Sequence, residues 1–413
     1  MLCWFAYVSA YLCRTNLSIV LPSIKDTFEW NNALVGLIGT AFFWCYAVGQ
    51  LINGTIGDKV NPRYFIPIGL IGASIINFLI GIFPNLYFII IVWSINGFLL
   101  STIWGPIIRI TAAWFPTKER TKVAVGLNLS MMGGYILSWG LVGVIINYTS
   151  WRWGFFLPAC FTSSYAIIFL VFMRAKPKEV GCEDYSKSVA KKDNKDSSLN
   201  LEVNQANHFS LFQLIIKERL WLIAIACVAQ GVIKEGIALW TPTFLKDNYD
   251  VTQTQISLIS TLVPLVGIVG IFLAGWLNTR YKERERKPLI ILLIMAIISC
   301  FTLYCVIGNN IYLDVILLSL SSAIMYGVNM LLLTMVPLGY ARYNKASSVT
   351  GFLDFCSYLG AGLSGVLTGF IVDLLGWSII MILWVVLALI GIVAVSRAFS
   401  KKRSRWNALY RNA

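Results

Sequence analysis

Charged side chains are scarce in this sequence of 413 residues, where Asp, Glu, Lys and Arg together make up 13%. Soluble globular domains carry about 25% charged residues. Hydrophobic residues account for 58% of the chain, and the mean hydropathy is +0.73. This composition argues against a soluble enzyme, a nucleic-acid-binding protein or a secreted disulfide-rich scaffold. With its many aromatic residues and glycines, it is typical of a polytopic helical membrane protein.

Residues that bind metals or carry out covalent chemistry are equally scarce. The one histidine, His208, lies in a polar stretch, and no pair of cysteines has metal-ligand spacing. Most cysteines lie in apolar stretches, where we interpret them as small buried hydrophobic residues. The sequence contains no nucleophile–base constellation and no phosphate-binding loop. We therefore expect no enzymatic activity, no cofactor and no bound metal.

Twelve apolar segments are long enough to cross a bilayer, for which a helix needs about 20 mainly apolar residues. They lie at residues 2–24, 34–56, 64–83, 86–112, 122–147, 153–174, 219–241, 254–278, 288–308, 311–340, 346–372 and 375–397. No cleavable signal peptide is expected, because no basic region precedes the apolar start. Met1 stands almost directly at the first helix, which is therefore either short or begins upstream.

A long polar stretch interrupts the apolar segments after the sixth. It is rich in Lys, Asp, Asn and Ser and cannot bury a core, so we expect a solvated linker. We predict an all-α membrane protein with twelve transmembrane helices in two pseudo-symmetric six-helix bundles. The predicted divisions are an N-terminal bundle at 1–174, a cytoplasmic linker at 175–212, a C-terminal bundle at 213–397 and a basic cytoplasmic tail at 398–413.

Basic residues are distributed unevenly between the loops. Of the 33 Lys and Arg residues, 27 fall in loops after even-numbered helices or in the tail, and three fall in the other loops. Because cytoplasmic loops carry the excess of Lys and Arg, both termini are predicted to lie in the cytoplasm. We expect a multi-pass protein of the cell (inner or plasma) membrane. The net charge of +14 then reflects topology and does not indicate a nucleic-acid partner.

The two halves share residues at a constant spacing. Arg14 and Lys234 each lie eight residues before a proline and are 220 positions apart. Segments 54–59 and 275–280, at an offset of 221, both read Gly, three residues, a polar residue and a basic residue. Such matches in register indicate an internal duplication, which is common in transporters.

Two positive charges, Arg14 and Lys234, are central in predicted spans and occupy equivalent repeat positions. A charge at the bilayer centre costs about 2.5–3.5 kcal/mol on insertion scales and normally faces a polar interior. If the two cations converge, an anion between them relieves their repulsion, and phosphate matches the arginine fork. Alternatively, each pairs with a fixed carboxylate and only holds helices together. Tyr7 and Tyr11 precede Arg14 on roughly the same helical face. Their side chains either donate hydrogen bonds to a polar substrate or only pack within the protein or against lipid.

Two carboxylates accompany these cations. Glu235 lies about 100° around the helix from Lys234, so we expect it to face a neighbouring helix. Asp354 shares a helical face with Tyr358 at i+4. Three roles are open for Asp354: a proton-linked carboxylate, a partner of Lys234 in the empty protein, or a structural hydrogen-bonding residue.

Five motifs within residues 5–397 carry a family resemblance. They are Tyr11-Leu-Cys-Arg14-Thr-Asn16, Gly57-Asp58-Lys59-Val-Asn61-Pro62-Arg63-Tyr64-Phe65, Trp114-Phe-Pro-Thr-Lys118-Glu119-Arg120, Lys234-Glu-Gly236-Ile-Ala-Leu-Trp240-Thr-Pro242-Thr, and Gly351-Phe352 through Tyr358-Leu-Gly360. The chain resembles the organophosphate:phosphate antiporter family of the major facilitator superfamily, which contains bacterial glycerol-3-phosphate and hexose-6-phosphate transporters. The resemblance implies a twelve-helix exchanger of an organic phosphate for inorganic phosphate.

The resemblance also implies substrate-binding residues. The family's two helix arginines fall on Arg14 and on Lys234, where the residue type has changed and the charge is kept. Its cavity aromatics fall on Tyr7, Tyr11, Tyr46, Trp104, Tyr326 and Tyr358.

Three departures from the family pattern make the expected cavity less positive. The family's helix-5 histidine has no counterpart, its place being taken by Ser130 or Met131. A helix-2 lysine of some members is Gln50 here, and Asp354 replaces a small residue. A monoanionic substrate, or proton-coupled uptake, becomes more plausible than a doubly charged sugar phosphate.

The mechanism we expect is alternating access, in which the two bundles rock about the substrate and a bound phosphate lowers the barrier to reorientation. The loop with Asp58 and Arg63 is predicted to act as a cytoplasmic gate, with Arg109 and Arg120 nearby. One chain contains both halves of a pore, so we expect it to function as a monomer. The alternatives are a proton-coupled organic-anion symporter that uses Asp354 or Glu235, and a transporter-like sugar-phosphate sensor.

Overall fold

All the regular secondary structure that the computed structural model describes is helical. The described residues are 1–28, 32–181, 210–251, 265–282 and 284–400, together with 259 and 263. His208, most of the predicted linker and nearly all of the predicted tail lie outside these residues. Within them, the absence of strands agrees with the predicted all-α class.

In the first half of the chain, the described residues form eight α-helices. They are α1 (Leu2–Phe28), α2 (Asn32–Gly57), α3 (Pro62–Ile82), α4 (Leu86–Leu100), α5 (Trp104–Trp114), α6 (Thr117–Ile136), α7 (Gly143–Tyr148) and α8 (Trp153–Phe172). Asn61 and Asn85 cap α3 and α4, because their side chains accept hydrogen bonds from backbone N–H groups of the first turn. The helix of the fifth predicted segment begins earlier than expected, at Thr117, directly after Pro116 in the N-cap position. A π-helical segment, Leu137–Val142, separates α6 from α7.

The described residues of the second half form a further eight α-helices. They are α9 (Leu211–Lys217), α10 (Leu220–Asn248), α11 (Gly267–Arg280), α12 (Arg286–Val306), α13 (Ile311–Met330), α14 (Val336–Leu338), α15 (Ala346–Leu375) and α16 (Trp377–Ser400). A second π-helical segment, Leu331–Met335, follows α13.

Among the described residues, eight helical stretches are long and apolar enough to cross a membrane. They comprise α3, α4 with α5, α8, α10, α12, α13 through α14, α15 and α16. Large apolar side chains such as Ile298, Phe301, Leu389 and Val393 are exposed along α12 and α16. Such surfaces are stable in lipid, where apolar side chains face hydrocarbon.

The chain divides into two compact units. The first comprises Met1–His208 and Pro337–Phe355, and the second comprises Phe209–Val336 and Cys356–Ala413. The start of α15, up to Phe355, therefore packs with the first unit although it follows most of the second unit in sequence.

Glycines allow close helix contacts at the positions that carry the candidate site. A Cβ on Gly97 of α4 would lie 2.7 Å from the carbonyl oxygen of Phe42, so α2 and α4 approach closely there. A Cβ on Gly327 of α13 would lie 2.6 Å from the carbonyl oxygen of Gly270 in α11. Small residues permit such backbone approach between membrane helices. These contacts set the positions of Phe42 and of Tyr326, the neighbour of Gly327.

Candidate functional site

Arg14 lies in a box of aromatic rings in the first unit. Its guanidinium carbon is 4.7 Å from the ring centroid of Tyr46 and 5.1 Å from that of Tyr11. The rings of Phe42 and Phe43 follow at 5.5 and 5.8 Å. A cation within about 6 Å of an aromatic centroid is attracted by the ring quadrupole. The rings therefore stabilise the positive charge inside an apolar helix bundle.

The other predicted aromatics of this half extend the same cluster. The ring of Tyr7 is 4.4 Å from that of Trp104 and 5.1 Å from that of Tyr11. Tyr11 in turn lies 5.3 Å from Tyr135. The structure thus brings together Arg14, Tyr7, Tyr11, Tyr46 and Trp104, as the sequence led us to expect.

Three rings of this cluster were missed by sequence reasoning, namely those of Phe42, Phe43 and Tyr135. Phe42 lies one turn before Tyr46 on α2, and their rings stack at 5.8 Å. That i, i+4 spacing was a usable signal. Tyr135, by contrast, lies just before a π-helical segment, which periodicity does not predict.

Three buried asparagines fix the backbone beside Arg14. The side-chain amides of Asn77 and Asn96 both donate to the carbonyl oxygen of Cys13, at 3.2 and 3.1 Å. Asn16 donates to the side-chain oxygen of Asn77 at 2.7 Å and to a carbonyl at the start of α8 at 2.9 Å. All three asparagines are fully buried. The network ties α1 to α3, α4 and α8 at the residue before Arg14, which restricts where the guanidinium can lie.

Lys234 forms an ion pair with its neighbour in the second unit. Its ammonium nitrogen is 2.9 Å from Glu235 Oε1, 3.5 Å from Asn329 Oδ1 and 5.4 Å from the Tyr326 ring centroid. The flexible four-carbon lysine stem spans the angular separation of the two residues on the helix, so the pair forms. The orientation of Glu235 toward a neighbouring helix stays a prediction. Tyr326 lies beside the lysine as the family resemblance implied.

A polar network extends from Asn329. Gln230 donates to Asn329 Oδ1 at 3.3 Å and accepts a hydrogen bond from the Ser357 hydroxyl at 3.0 Å. Both residues were missed, although Gln230 lies one turn before Lys234 on α10 and Asn329 lies one turn after Tyr326. Asn329 also stands just before the second π-helical segment, a feature frequent at functional sites.

The two remaining predicted residues of this region lie on α15. Asp354 is buried, with 4% exposure, and Tyr358 is half-buried one turn later. Asp354 belongs to the first compact unit and Tyr358 to the second. The three roles considered for Asp354 stay predictions.

Asp58, in the turn after α2, caps the start of α15. Its carboxylate accepts hydrogen bonds from the backbone N–H groups of Ser347 and Ser348, at 3.0 and 2.8 Å, and from the Ser348 hydroxyl. Burial raises the pKa of the Asp58 carboxyl from its ordinary 3.8, while the serine hydrogen bonds and the charge of Arg109 act in the opposite direction. The serine donors therefore offset part of the cost of removing this charge from water.

The three predicted gate arginines bind backbone carbonyls around this contact. Arg109 donates to the carbonyl oxygens of Gly57 and Val60, at 2.7 and 2.8 Å. Arg63 donates to Leu170 O at 2.8 Å, which ties α3 to the end of α8.

Arg120 reaches further along the chain. It donates to Ala112 O at 3.0 Å and to Leu338 O at 3.3 Å. The first unit therefore holds Asp58, Arg109 and Arg120 near the contact between the turn after α2 and the residues before α15.

Long apolar helices, a partly buried Arg14 among aromatic rings and a buried Lys234 beside an amide are typical of the class of integral membrane solute transporters. The model of the Major Facilitator Superfamily matches residues 3–365. The chain belongs to this superfamily. Its fold agrees with the crystal structure of the major facilitator transporter FucP in the outward conformation, with a TM-score of 0.70 at 14% identity over 96% of this chain and 97% of that one.

Curated relatives agree with the family resemblance stated from the motifs. The chain is 25% identical to a probable hexose phosphate transport protein of Chlamydia trachomatis, over 94% of this chain and 88% of the relative. It is 26% identical to the glycerol-3-phosphate transporter of Bacillus subtilis, over 91% and 86%. It is also 23% identical to the membrane sensor protein UhpC of Escherichia coli, over 91% and 85%.

Proposed function

We propose that this protein is a secondary active transporter that exchanges an organic phosphate, of the sugar phosphate or glycerol phosphate class, for inorganic phosphate by alternating access. The observation that carries the proposal is Arg14, held among aromatic rings and fixed by the asparagine network behind Cys13. The relatives named for hexose phosphate and glycerol-3-phosphate support the substrate class. The protein acts as a monomer in the cell membrane, with both termini in the cytoplasm.

Arg14 supplies the main phosphate contact in this proposal. A guanidinium makes two parallel charge-assisted hydrogen bonds to phosphate oxygens, which a lysine cannot match. Tyr7, Tyr11 and Tyr46, whose rings belong to the same cluster, donate their hydroxyls to further oxygens in this proposal. Lys234, at the equivalent repeat position, contributes the second charge in this proposal.

The Lys234–Glu235 pair sets the charge that the substrate meets. While Glu235 neutralises Lys234, the two helix positions 14 and 234 contribute a net charge of about one, which suits a monoanionic phosphate. Binding of a dianion requires that phosphate replaces the carboxylate at Lys234. Tyr326 and Tyr358 contact the organic part of the substrate in this proposal.

The contact between Asp58 and the start of α15 is the cytoplasmic gate of the proposed cycle. Its hydrogen bonds hold the N-terminus of α15 against the turn after α2. Arg63, Arg109 and Arg120 brace the same region through backbone carbonyls. Opening toward the cytoplasm requires that these bonds break.

Exchange of labelled phosphate in proteoliposomes tests the role of Arg14. Removing a hydrogen bond to a charged group costs about 1.5–3 kcal/mol, so Arg14→Gln should lower exchange at least about tenfold. Arg14→Lys, which keeps the charge and loses the fork, should recover only part of the rate. Arg152 is the matched control, since it lies 4.8 Å over the Trp151 ring but is exposed. Full exchange by Arg14→Gln would remove the basis of the proposal.

Proton-coupled symport of an organic anion is the second candidate function, favoured by the buried Asp354 and by the Lys234–Glu235 pair. Uptake driven by an imposed pH gradient into liposomes without phosphate, lost in Asp354→Asn or Glu235→Gln, would support it. The sensor relative raises a third candidate. Binding of sugar phosphate without any measurable flux would favour sensing over transport.

A further inference from the structure

A groove runs along the outer surface of the second unit, between the start of α10 and the second half of α16. Its volume is about 380 Å³. Trp221 and Ile225 line it from α10, and Leu389 and Val393 line it from α16. These side chains are between 37% and 50% exposed. Because they lie on two membrane-spanning helices, the groove is open to lipid.

The length of the groove matches one leaflet of a bilayer. On α16 the lining extends from Val386 to Arg397, which corresponds to about 16 Å at a helical rise of about 1.5 Å per residue. The hydrocarbon core of a bilayer is about 30 Å thick. A single acyl chain lying along the groove would therefore reach from its charged end to near the bilayer centre.

Two arginines lie at one end of the groove. Arg397 forms part of its lining, and the guanidinium of Arg219 donates to the backbone carbonyl of Arg397 at 3.1 Å. Arg219 adopts a left-handed backbone conformation, with φ of 55°, which residues other than glycine rarely adopt. The fold thus brings a second cation to the end of α16, where three further basic residues, 401–403, follow in the sequence.

The helix before the groove places this end at the lipid headgroups. On α9, Phe212 and Ile216 are exposed while Leu214 is buried. A short helix with exposed apolar residues next to a spanning helix is typical of the membrane interface. Trp221 is the second residue of α10, and tryptophan is enriched at the same depth. The arginines therefore stand at the level of lipid phosphates, and the apolar lining stands at the level of acyl chains.

We propose that this groove binds an anionic phospholipid, with one acyl chain along Trp221, Ile225, Leu389 and Val393 and the headgroup phosphate on Arg397 and Arg219. Basic pockets between transmembrane helices bind anionic headgroups in this way. The bound lipid bridges α10, which carries Lys234, to α16. It thereby stabilises the packing of the second unit independently of any transported solute.

Binding of phosphatidylglycerol to the purified protein tests this assignment. Native mass spectrometry and thermal unfolding in detergent would be compared with phosphatidylglycerol and with phosphatidylcholine of identical chains. We expect retained phosphatidylglycerol and a higher Tm with it, and neither with phosphatidylcholine. Equal binding of the two lipids would overturn the role of the arginines. Displacement of the lipid by inorganic phosphate alone would overturn the role of the acyl chain.

Two kinds of variant separate the charged end from the apolar groove. Arg219→Gln combined with Arg397→Gln should weaken phosphatidylglycerol binding at least about fivefold, whereas Lys287→Gln, at the start of another helix, should not. Leu389→Trp should block the acyl chain while leaving the arginines in place. Leu374→Trp, at an exposed position of α15, is its control. If lipid binding is unchanged in the double arginine variant and in Leu389→Trp, a lipid is not the occupant of the groove. The same conclusion follows if the protein forms dimers without lipid and Leu389→Trp abolishes them.

Discussion

The ion pair between Lys234 and Glu235 controls the electrostatics of the second unit's candidate site. The lysine side chain is 9% exposed and the glutamate side chain 26%. Removing one partner of such a buried pair leaves an uncompensated charge and destabilises the fold, by about 3–5 kcal/mol in well-buried cases. The partial exposure of Glu235 places this pair at the low end of that range. An anion that takes the place of the carboxylate would restore the lost interaction.

Glu235→Gln should therefore bind phosphate more tightly and be less stable without it. We expect the apparent affinity for phosphate to rise about tenfold, equivalent to about 1.4 kcal/mol, and the Tm without phosphate to fall. Added phosphate should restore the Tm of this variant more than that of the wild type. Scanning calorimetry across a phosphate titration measures both effects. The control Asp373→Asn, at an exposed carboxylate of α15, should show neither effect. An unchanged phosphate affinity in Glu235→Gln would mean that Lys234 does not contact the anion.

Among helical elements, α15 receives its N-terminal cap from a distant turn. Its first residue, Ala346, follows a lysine, and the N–H groups of Ser347 and Ser348 are bound by Asp58. A carboxylate at a helix N-terminus satisfies unpaired donors and interacts favourably with the helix dipole. Loss of such a cap costs about 0.5–2 kcal/mol. The stabilising free energy of this cap is therefore small enough for the contact to break during the proposed opening of the gate.

Asp58→Ala should expose the start of α15. Ser347 is fully buried, so a cysteine introduced there by Ser347→Cys should react slowly with a thiol reagent. We expect that cysteine to react faster in the double variant that also carries Asp58→Ala. Labelling with a membrane-impermeant maleimide, followed by peptide mass spectrometry, measures the rate. Asp58→Asn keeps an acceptor oxygen and should show a smaller increase. If Asp58→Ala leaves the labelling rate of Ser347→Cys unchanged, the contact does not limit access.

Sequence patterns predicted the helices better than their connections. Apolar segments predicted α3, α8, α12 and α16 to within a few residues, because a spanning helix needs a long apolar run. The π-helical segments Leu137–Val142 and Leu331–Met335 follow from packing and leave no periodic signal. The asparagine network behind Cys13 joins helices that are distant in sequence, because its hydrogen bonds connect residues 61 and 83 positions apart. No local pattern predicts such pairings, although a buried asparagine is a reason to look for a partner.

At the scale of the whole molecule, the duplicated sequence gives each half one cation at an equivalent position. The surroundings of the two differ: Arg14 lies among four aromatic rings, whereas Lys234 lies against a carboxylate and an amide. The predicted duplication therefore keeps the charge at both positions, while the neighbouring residues differ.

The proposed exchange of phosphates requires that substrate binding is coupled to reorientation of the carrier. Closing a helix bundle around the Arg14 guanidinium removes it from water, and a bound phosphate offsets that cost. Taking about 2.5 kcal/mol for a charge at the bilayer centre, the empty carrier should reorient roughly 70-fold more slowly than the loaded one. Efflux of labelled phosphate from proteoliposomes should accordingly be fast with external phosphate or organic phosphate and slow into phosphate-free buffer.

The same preparation distinguishes exchange from proton-coupled symport. In an exchanger, an inward proton gradient should not drive accumulation into liposomes that contain no phosphate, whereas internal phosphate should. Arg14→Gln should lose the acceleration by external phosphate, because its transport no longer depends on neutralising a guanidinium. Efflux that is equally fast with and without external phosphate would show that empty and loaded carriers reorient alike, and the charge at position 14 would then have no part in coupling.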